Sequence, residues 1–319
     1  MERNGCRPVT SLGKIAFCFP GQGSLEEGMG RDIAEAVPEA MAVFTTGSRA
    51  SGLDLQALCF DGPLEGLFET EVQQPALVTA SLAVLAALRA RGITPDYVVG
   101  HSVGEYAALV AAEAMATETA IGLVRERGLA TAEAAREHPG AMAAILGLED
   151  AVVERLCAGI PGVWPANYNC PGQVVVSGEN AAVEQFLAAA QAEGARRTVM
   201  LKVSGAFHSP LVERAADRLR PAVEKIRFNE PRVPFVSTVT ARVEHVERFG
   251  ALLIEQLTTP VKFTQSVGEL VREGVKTFIE VGPGTVLSGL VKRIDRSVTA
   301  LSVNNLAALK KLEDTVSAA

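Results

Sequence analysis

Residues 98–110, VVGHSVGEYAALV, set a serine between two glycines where an apolar strand pattern gives way to a helical one. Val98 and Val99 end the strand, and Glu105 to Val110 begin the helix. Gly100-His101-Ser102-Val103-Gly104 therefore fits Gly-x-Ser-x-Gly, a sharp strand–turn–helix that lifts a serine clear of a sheet. Glycine allows the chain to fold back because it has no Cβ to clash. The hydroxyl then lies over a helix N-terminus, where free N–H groups and the helix dipole favour an oxyanion. The same pentapeptide also arises in ordinary glycine-rich connections, so the rest of the chain must distinguish a nucleophile from a turn.

A turn of this kind needs a sheet covered on both faces, and the chain supplies one. The apolar run IAFCF (15–19) enters PGQGS directly, and strand patterns recur at 97–100, 234–239 and 277–281, separated by long helical stretches. Strands alternating with helices predict an α/β architecture with a parallel sheet. Between residues 141 and 203 the rhythm changes. Strand 141–148, helix 149–159, strands 163–169 and 173–178, helix 180–193 and strand 197–203 follow one another. That β-α-β-β-α-β order is ferredoxin-like. It predicts a small subdomain over 138–206, inserted into a larger unit made of 1–137 and 207–319.

With 319 residues, 48% of them hydrophobic, the chain can fill a large core. The longest apolar stretch, ALVTASLAVLAAL (76–88), is short for a bilayer and predicts a buried helix starting just after Gln74-Pro75. No membrane partner is expected. The first ten residues, MERNGCRPVT, lack the apolar core of a secretory signal. A formal charge of −7 argues against a nucleic-acid partner. Cys6, Cys18, Cys59, Cys157 and Cys170 are odd in number and lack CxxC spacing, which fits a reducing cytoplasm rather than a disulfide framework or a metal site.

A serine nucleophile needs a base, and the chain offers four histidines. His101 adjoins Ser102 across a tight turn, which points the two side chains apart and suggests a structural role or a wall of the site. His138 precedes Pro139-Gly140 at the expected subdomain junction, and His245 lies in the charged ARVEHVERFG. His208, in VSGAFHSPLVERAA, follows an expected strand end and is the candidate that remains. No acid is obviously placed to orient it, and a backbone carbonyl can fix an imidazole tautomer instead. Arg127 follows Ala120, Leu123 and Val124 by seven, four and three positions, on the apolar face of a helix starting near Thr117. Such an arginine either serves a structural ion pair or snorkels, or it holds a carboxylate by two hydrogen bonds.

Seven segments occur in a fixed order: FCFPGQGS, GHSVGE, an Arg-Gly pair twenty-five residues after the serine, ANYNCPGQVVVSG, GAFHS, QLTTPVKFT and EVGPGTVLSGLVKR. In this the chain resembles malonyl-CoA:acyl carrier protein transacylases and the related acyltransferase domains of polyketide synthases, from about residue 14 to 305. The resemblance implies a large α/β-hydrolase-like subdomain carrying the ferredoxin-like insertion. It also implies Ser102 as nucleophile, His208 as base and Arg127 as anchor of the malonyl carboxylate. Gln22 and Val103 would offer main-chain N–H groups to the oxyanion, Gln256 would support the histidine, and Asn167 would sit near the cleft. Phe207, before the histidine, goes with malonyl rather than methylmalonyl selectivity in the related domains, with Val103 as a lesser wall.

The implied substrates are malonyl-CoA and the phosphopantetheine thiol of an acyl carrier protein, in fatty-acid biosynthesis, with no bound cofactor or metal and a cytoplasmic monomer. The family continues Arg-Gly with Met-Gln two residues on, where this chain has Thr131-Ala132. Three alternatives stand beside that reading: a free-standing acyltransferase of a polyketide synthase, a serine thioesterase or acylhydrolase, and a non-catalytic carrier-binding module. An inward arginine speaks against an enzyme that clears neutral acyl groups. The intact Ser102, His208 and Arg127 speak against a decayed site.

Overall fold

The computed structural model describes residues 12–317, so Cys6 and the ten residues read for a secretory signal lie outside the described residues. The chain opens with β1 (Lys14–Phe19), α1 (Arg31–Ala36), α2 (Pro38–Ser51), α3 (Leu55–Phe60) and α4 (Thr70–Ala90). Next come β2 (Tyr97–Gly100), α5 (Gly104–Ala111) and α6 (Thr117–Glu137). A second group follows: β3 (Ala141–Leu146), α7 (Asp150–Gly159), β4 (Val163–Cys170), β5 (Gln173–Gly178), α8 (Asn180–Ala192) and β6 (Arg197–Met200). The chain then runs through α9 (Glu213–Val223), β7 (Phe235–Ser237), β8 (Arg242–Glu244), α10 (Val246–Glu255) and α11 (Phe263–Arg272). It closes with β9 (Val275–Val281), α12 (Val286–Ile294), β10 (Thr299–Val303) and α13 (Leu306–Ser317).

The larger sheet has the order β10-β9-β1-β2-β7-β8, parallel throughout except for the antiparallel edge strand β8. Strand β1 shows why it is central. Ile15, Phe17 and Phe19 join one apolar cluster, while Ala16 and Cys18 join another with residues of α11 and α12. Alternate side chains point to opposite faces, so a strand buried on both reads as a continuous apolar run. Strands β8 and β10 escape the sequence reading. The first is three residues with two charges, and the second is a half-buried edge.

The smaller sheet is antiparallel with order β4-β5-β3-β6, the ferredoxin-like arrangement, and packs one face on α7 and α8. Its other face turns Met142, Ala166 and Val175 into the main cluster together with Phe207. The last strand is shorter than its pattern suggests. Leu201 makes a final bond to the Met142 carbonyl, and the chain then leaves the β3 edge. His208 consequently sits in a loop and not directly after a strand.

Helix α4 corrects the sequence reading in its start, at Thr70 rather than after Pro75. Proline has no N–H for the Glu71 carbonyl one turn back. The Arg125 guanidinium donates to that carbonyl instead, so the helix continues through the proline. By length and composition α4 could cross a membrane, yet 83% of its most apolar window is buried against its neighbours. It packs between α2, α5 and α6 as a core helix.

Candidate active site

The β2–α5 turn is the strand–serine–helix turn of the sequence pattern. Ser102 holds a left-handed backbone, φ 53°, although it carries a Cβ. The flanking glycines make this possible. A Cβ on Gly100 would lie 2.2 Å from the Glu105 nitrogen, and one on Gly104 would lie 2.1 Å from the Phe19 carbonyl oxygen. Main-chain bonds from His101 to Phe19 and from Gly104 to His101 tie the turn to the end of β1.

His208 reaches Ser102 from the other side. Its Nε2 lies 2.8 Å from Ser102 Oγ, while its Nδ1 faces the Gln256 carbonyl at 2.8 Å and the Thr259 carbonyl at 3.2 Å. Carbonyls only accept, so Nδ1 carries the hydrogen and Nε2 is left to accept the serine proton. His208 also has positive φ, 58°, held by its N–H on the Leu257 carbonyl. Burial first, and then the neighbouring Arg127 charge, push its imidazole down to about 3. The ring is therefore neutral and able to take a proton. Among the described residues no carboxylate orients it: two main-chain carbonyls do.

Arg127 lies on the inner face of α6, 3% exposed. Its Nη1 donates to Gln74 Oε1 at 2.7 Å, and its Nη2 to Gln256 Oε1 at 3.1 Å and Ser102 Oγ at 3.2 Å. The Tyr106 ring centroid is 6.0 Å from the guanidinium. Among the described residues, no carboxylate forms an ion pair with it, and its Nε has no acceptor. Its direct partners are neutral, and the carboxylate of Glu105 stands one amide away behind Gln256. The buried fork is left without an anion in contact, which is costly unless one joins it. The side chain of Gln256 thus holds the arginine, and its main chain holds the histidine.

Ser102 opens on two spaces. A tight cavity of about 10 Å³ lies among Ser102, Arg127, Thr131, Phe207, His208 and Gln22. A larger one of about 130 Å³ lies between the two sheets, lined by Gln22, His101, Ser102, Asn167, Asn169 and Phe207 among others. Asn167 projects from β4, which is tied to Val261 by main-chain bonds in both directions. Gln22 bonds through its side chain to Gln73 and Gln74. Among the described residues, neither its main-chain N–H nor that of Val103 donates to a protein acceptor. His101 turns away from Ser102, with Nε2 2.9 Å from Asn169 Oδ1 and its ring against Phe263. His138 and His245 are exposed at helix ends.

A family model described as an acyl transferase domain matches residues 16–317. The chain belongs to the acyl transferase family. It is 43% identical over 299 residues to the malonyl CoA-acyl carrier protein transacylase of Bacillus subtilis, covering 92% of this chain and 94% of that one. The Escherichia coli K12 protein of the same name is 43% identical over 301 residues, covering 93% and 97%. Among solved structures, the malonyl-CoA:acyl carrier protein transacylase of Xanthomonas oryzae pv. oryzae superposes with a TM-score of 0.92 at 42% identity, covering 96% and 99%. A malonyl-transacylase in complex with a type II polyketide acyl carrier protein gives 0.91 at 40% identity, covering 94% and 99%.

Within this acyl transferase chain, sequence reasoning missed Glu105, Gln74, Asn169 and Thr259. Glu105 stands next to the serine turn, yet it is fully buried and accepts from Ser237, Thr238 and Gln256. Burial pushes its carboxyl up to about 7 against the pull of these donors. Thr131 turns its hydroxyl back onto the Arg127 and Gly128 carbonyls at 2.8 and 3.0 Å.

Proposed function

We propose that the chain moves a malonyl group from malonyl-CoA to the phosphopantetheine thiol of an acyl carrier protein through a malonyl ester on Ser102, in fatty-acid biosynthesis. The observation that carries this reading is Arg127: a buried guanidinium without an ion pair among the described residues, 3.2 Å from the serine oxygen. An acyl group with its own carboxylate supplies the missing anion, and a planar fork meets it with two hydrogen bonds.

In the first half-reaction Ser102 Oγ attacks the thioester carbonyl while His208 Nε2 takes its proton. The tetrahedral oxyanion is met by the main-chain N–H groups of Gln22 and Val103. The C–S bond breaks, and the imidazolium returns the proton to the departing coenzyme A sulfur. In the second half-reaction the carrier thiol attacks the ester, its proton passes to His208, and Ser102 leaves with that proton. The carbonyls of Gln256 and Thr259 hold the Nδ1–H throughout, and a malonyl carboxylate on Arg127 offsets the charge that opposes the imidazolium. Phe207 walls the acyl side, and Asn167 lies along the larger cavity where the thioester arm enters. Residues 138–206 act as the inserted subdomain that roofs this entrance, in a cytoplasmic monomer that uses no bound cofactor.

Intact mass after incubation with malonyl-CoA tests the reading. Wild type should gain one malonyl group and lose it on addition of holo carrier protein, and Ser102→Ala should gain none. Free malonate without a stable adduct would make the chain a hydrolase, and no change at all would make it a binding module.

A further inference from the structure

Glu105 is buried among groups that all donate to it. Its Oε1 accepts from Ser237 Oγ at 3.1 Å, from Thr238 Oγ1 at 2.8 Å and from the Thr238 N–H, and its Oε2 accepts from Gln256 Nε2. An ionised carboxylate has no hydrogen to give, so the Gln256 amide must turn its NH₂ toward Glu105. Its oxygen is then left facing Arg127 Nη2 at 3.1 Å. Reversing that amide would set a carbonyl against a carboxylate and an NH₂ against a guanidinium.

The opposite arm of the fork is held without a carboxylate. Gln74 accepts from Nη1, but its own NH₂ meets Thr131 Oγ1 and Gln22 Oε1 at 3.4 Å each. The Thr131 hydroxyl, already given to the Arg127 and Gly128 carbonyls, accepts from that NH₂, so the direction of the Gln74 amide is set without Glu105. We infer that Glu105 is a positioning residue: it fixes the direction of the Gln256 amide and thereby the attitude of the Arg127 fork toward a carboxylated acyl group. This deepens the reading of malonyl transfer given above and rests on it. The link to His208 is separate, because it runs through the Gln256 main-chain carbonyl.

Glu105→Gln has the right shape to test this at pH 8, where the native carboxylate is ionised. With its oxygen kept on Ser237 and Thr238, the introduced amide offers NH₂ to Gln256 and turns that amide over. Second-order acylation of Ser102 by malonyl-CoA should fall about tenfold, the worth of one charge-assisted hydrogen bond. Acylation by acetyl-CoA should stay within about twofold of wild type, because it draws on His208 and the oxyanion donors alone. Gln256→Met keeps the main-chain carbonyl and removes the amide. It should lower the malonyl-to-acetyl ratio likewise, and adding Glu105→Gln to it should lower the ratio no further. If Glu105→Gln does not fold, Glu105→Met, which removes the acceptor and leaves the Gln256 amide undirected, is read by the same ratio and decides. A ratio that stays at the wild-type value, or equal losses with both thioesters, overturns the inference. Wild type in the same experiment keeps the two questions apart: failure to load malonyl at all would refute the transfer reading itself.

Discussion

Ser102 and His208, the two groups proposed to exchange a proton, both sit at positive φ, 53° and 58°. Such backbone costs on the order of 1–3 kcal/mol per residue and persists where the surroundings over-determine it. Here the glycine-flanked turn and the Leu257 carbonyl do so. His208 was legible because four histidines leave few choices. Its orientation was not, since main-chain carbonyls carry no residue-type signal. Arg127 was legible from helical spacing, whereas the amides around it come from α4 and the end of α10, far apart in the chain. The depressed imidazole makes a kinetic prediction. A histidine whose folded value lies below its unfolded one stays neutral as pH falls, until the folded value is approached. The stability tied to that neutrality is lost over the same interval, from the ordinary imidazole range down toward about 3. Acylation of Ser102 by acetyl-CoA should therefore show no acid limb between pH 8 and about 5. A limb centred near the ordinary value of about 6.5 would mean a solvated ring.

Among the elements, the turn between β2 and α5 has the least room for change. A methyl on Gly104 would meet the Phe19 carbonyl at 2.1 Å, and backbone cannot step aside as a side chain can. Gly289, on the exposed face of α12, has nothing within 4 Å of the same position. Thermal melts should separate the two. Gly104→Ala is expected to destabilise by about 3 kcal/mol or more, at or above the usual range for overpacking. Gly289→Ala should be neutral or stabilise by about 0.5–1 kcal/mol, because alanine suits a helix and restricts the unfolded chain. Equal melting points would contradict the account of the turn. Periodicity read α6 and, apart from the overlong β6, the strands and helices between β3 and β6 well, because their apolar spacing is regular and their ends carry Gly or a polar run. It placed the start of α4 too late by trusting Pro75 as a stop, and the missing bond there is filled by Arg125, from a different helix.

In the molecule as a whole, the site forms where the C-terminal ends of adjacent parallel strands meet the smaller sheet. The segment after β1 brings Gln22, the turn after β2 brings Ser102, and the residues after β7 bring Thr238, which cradles Glu105. Ligand sites at the carboxyl ends of parallel strands are a general consequence of this architecture. The alternation of strands and helices was readable, and so was the change of rhythm at 141. The lateral order β10-β9-β1-β2-β7-β8 was not, since it depends on which faces pack and no local pattern encodes it. The same limit hid the contact between β4 and Val261 that carries Asn167 to the cleft.

All of these scales converge on one buried cation. If Arg127 receives the acyl carboxylate, removing it strands that carboxylate in a desolvated site, at about 2–5 kcal/mol. Arg127→Ala should then slow acylation of Ser102 by malonyl-CoA by roughly two to three powers of ten on that scale. Acylation by acetyl-CoA, which brings no carboxylate, should persist at the wild-type rate or above. Arg127→Lys should recover part of the malonyl rate, since an ammonium presents no two-pronged fork. Intact mass against time, with each thioester and each variant, gives the comparison directly. A malonyl rate that collapses while the acetyl rate stands is the predicted result, and a parallel fall of both would contradict it.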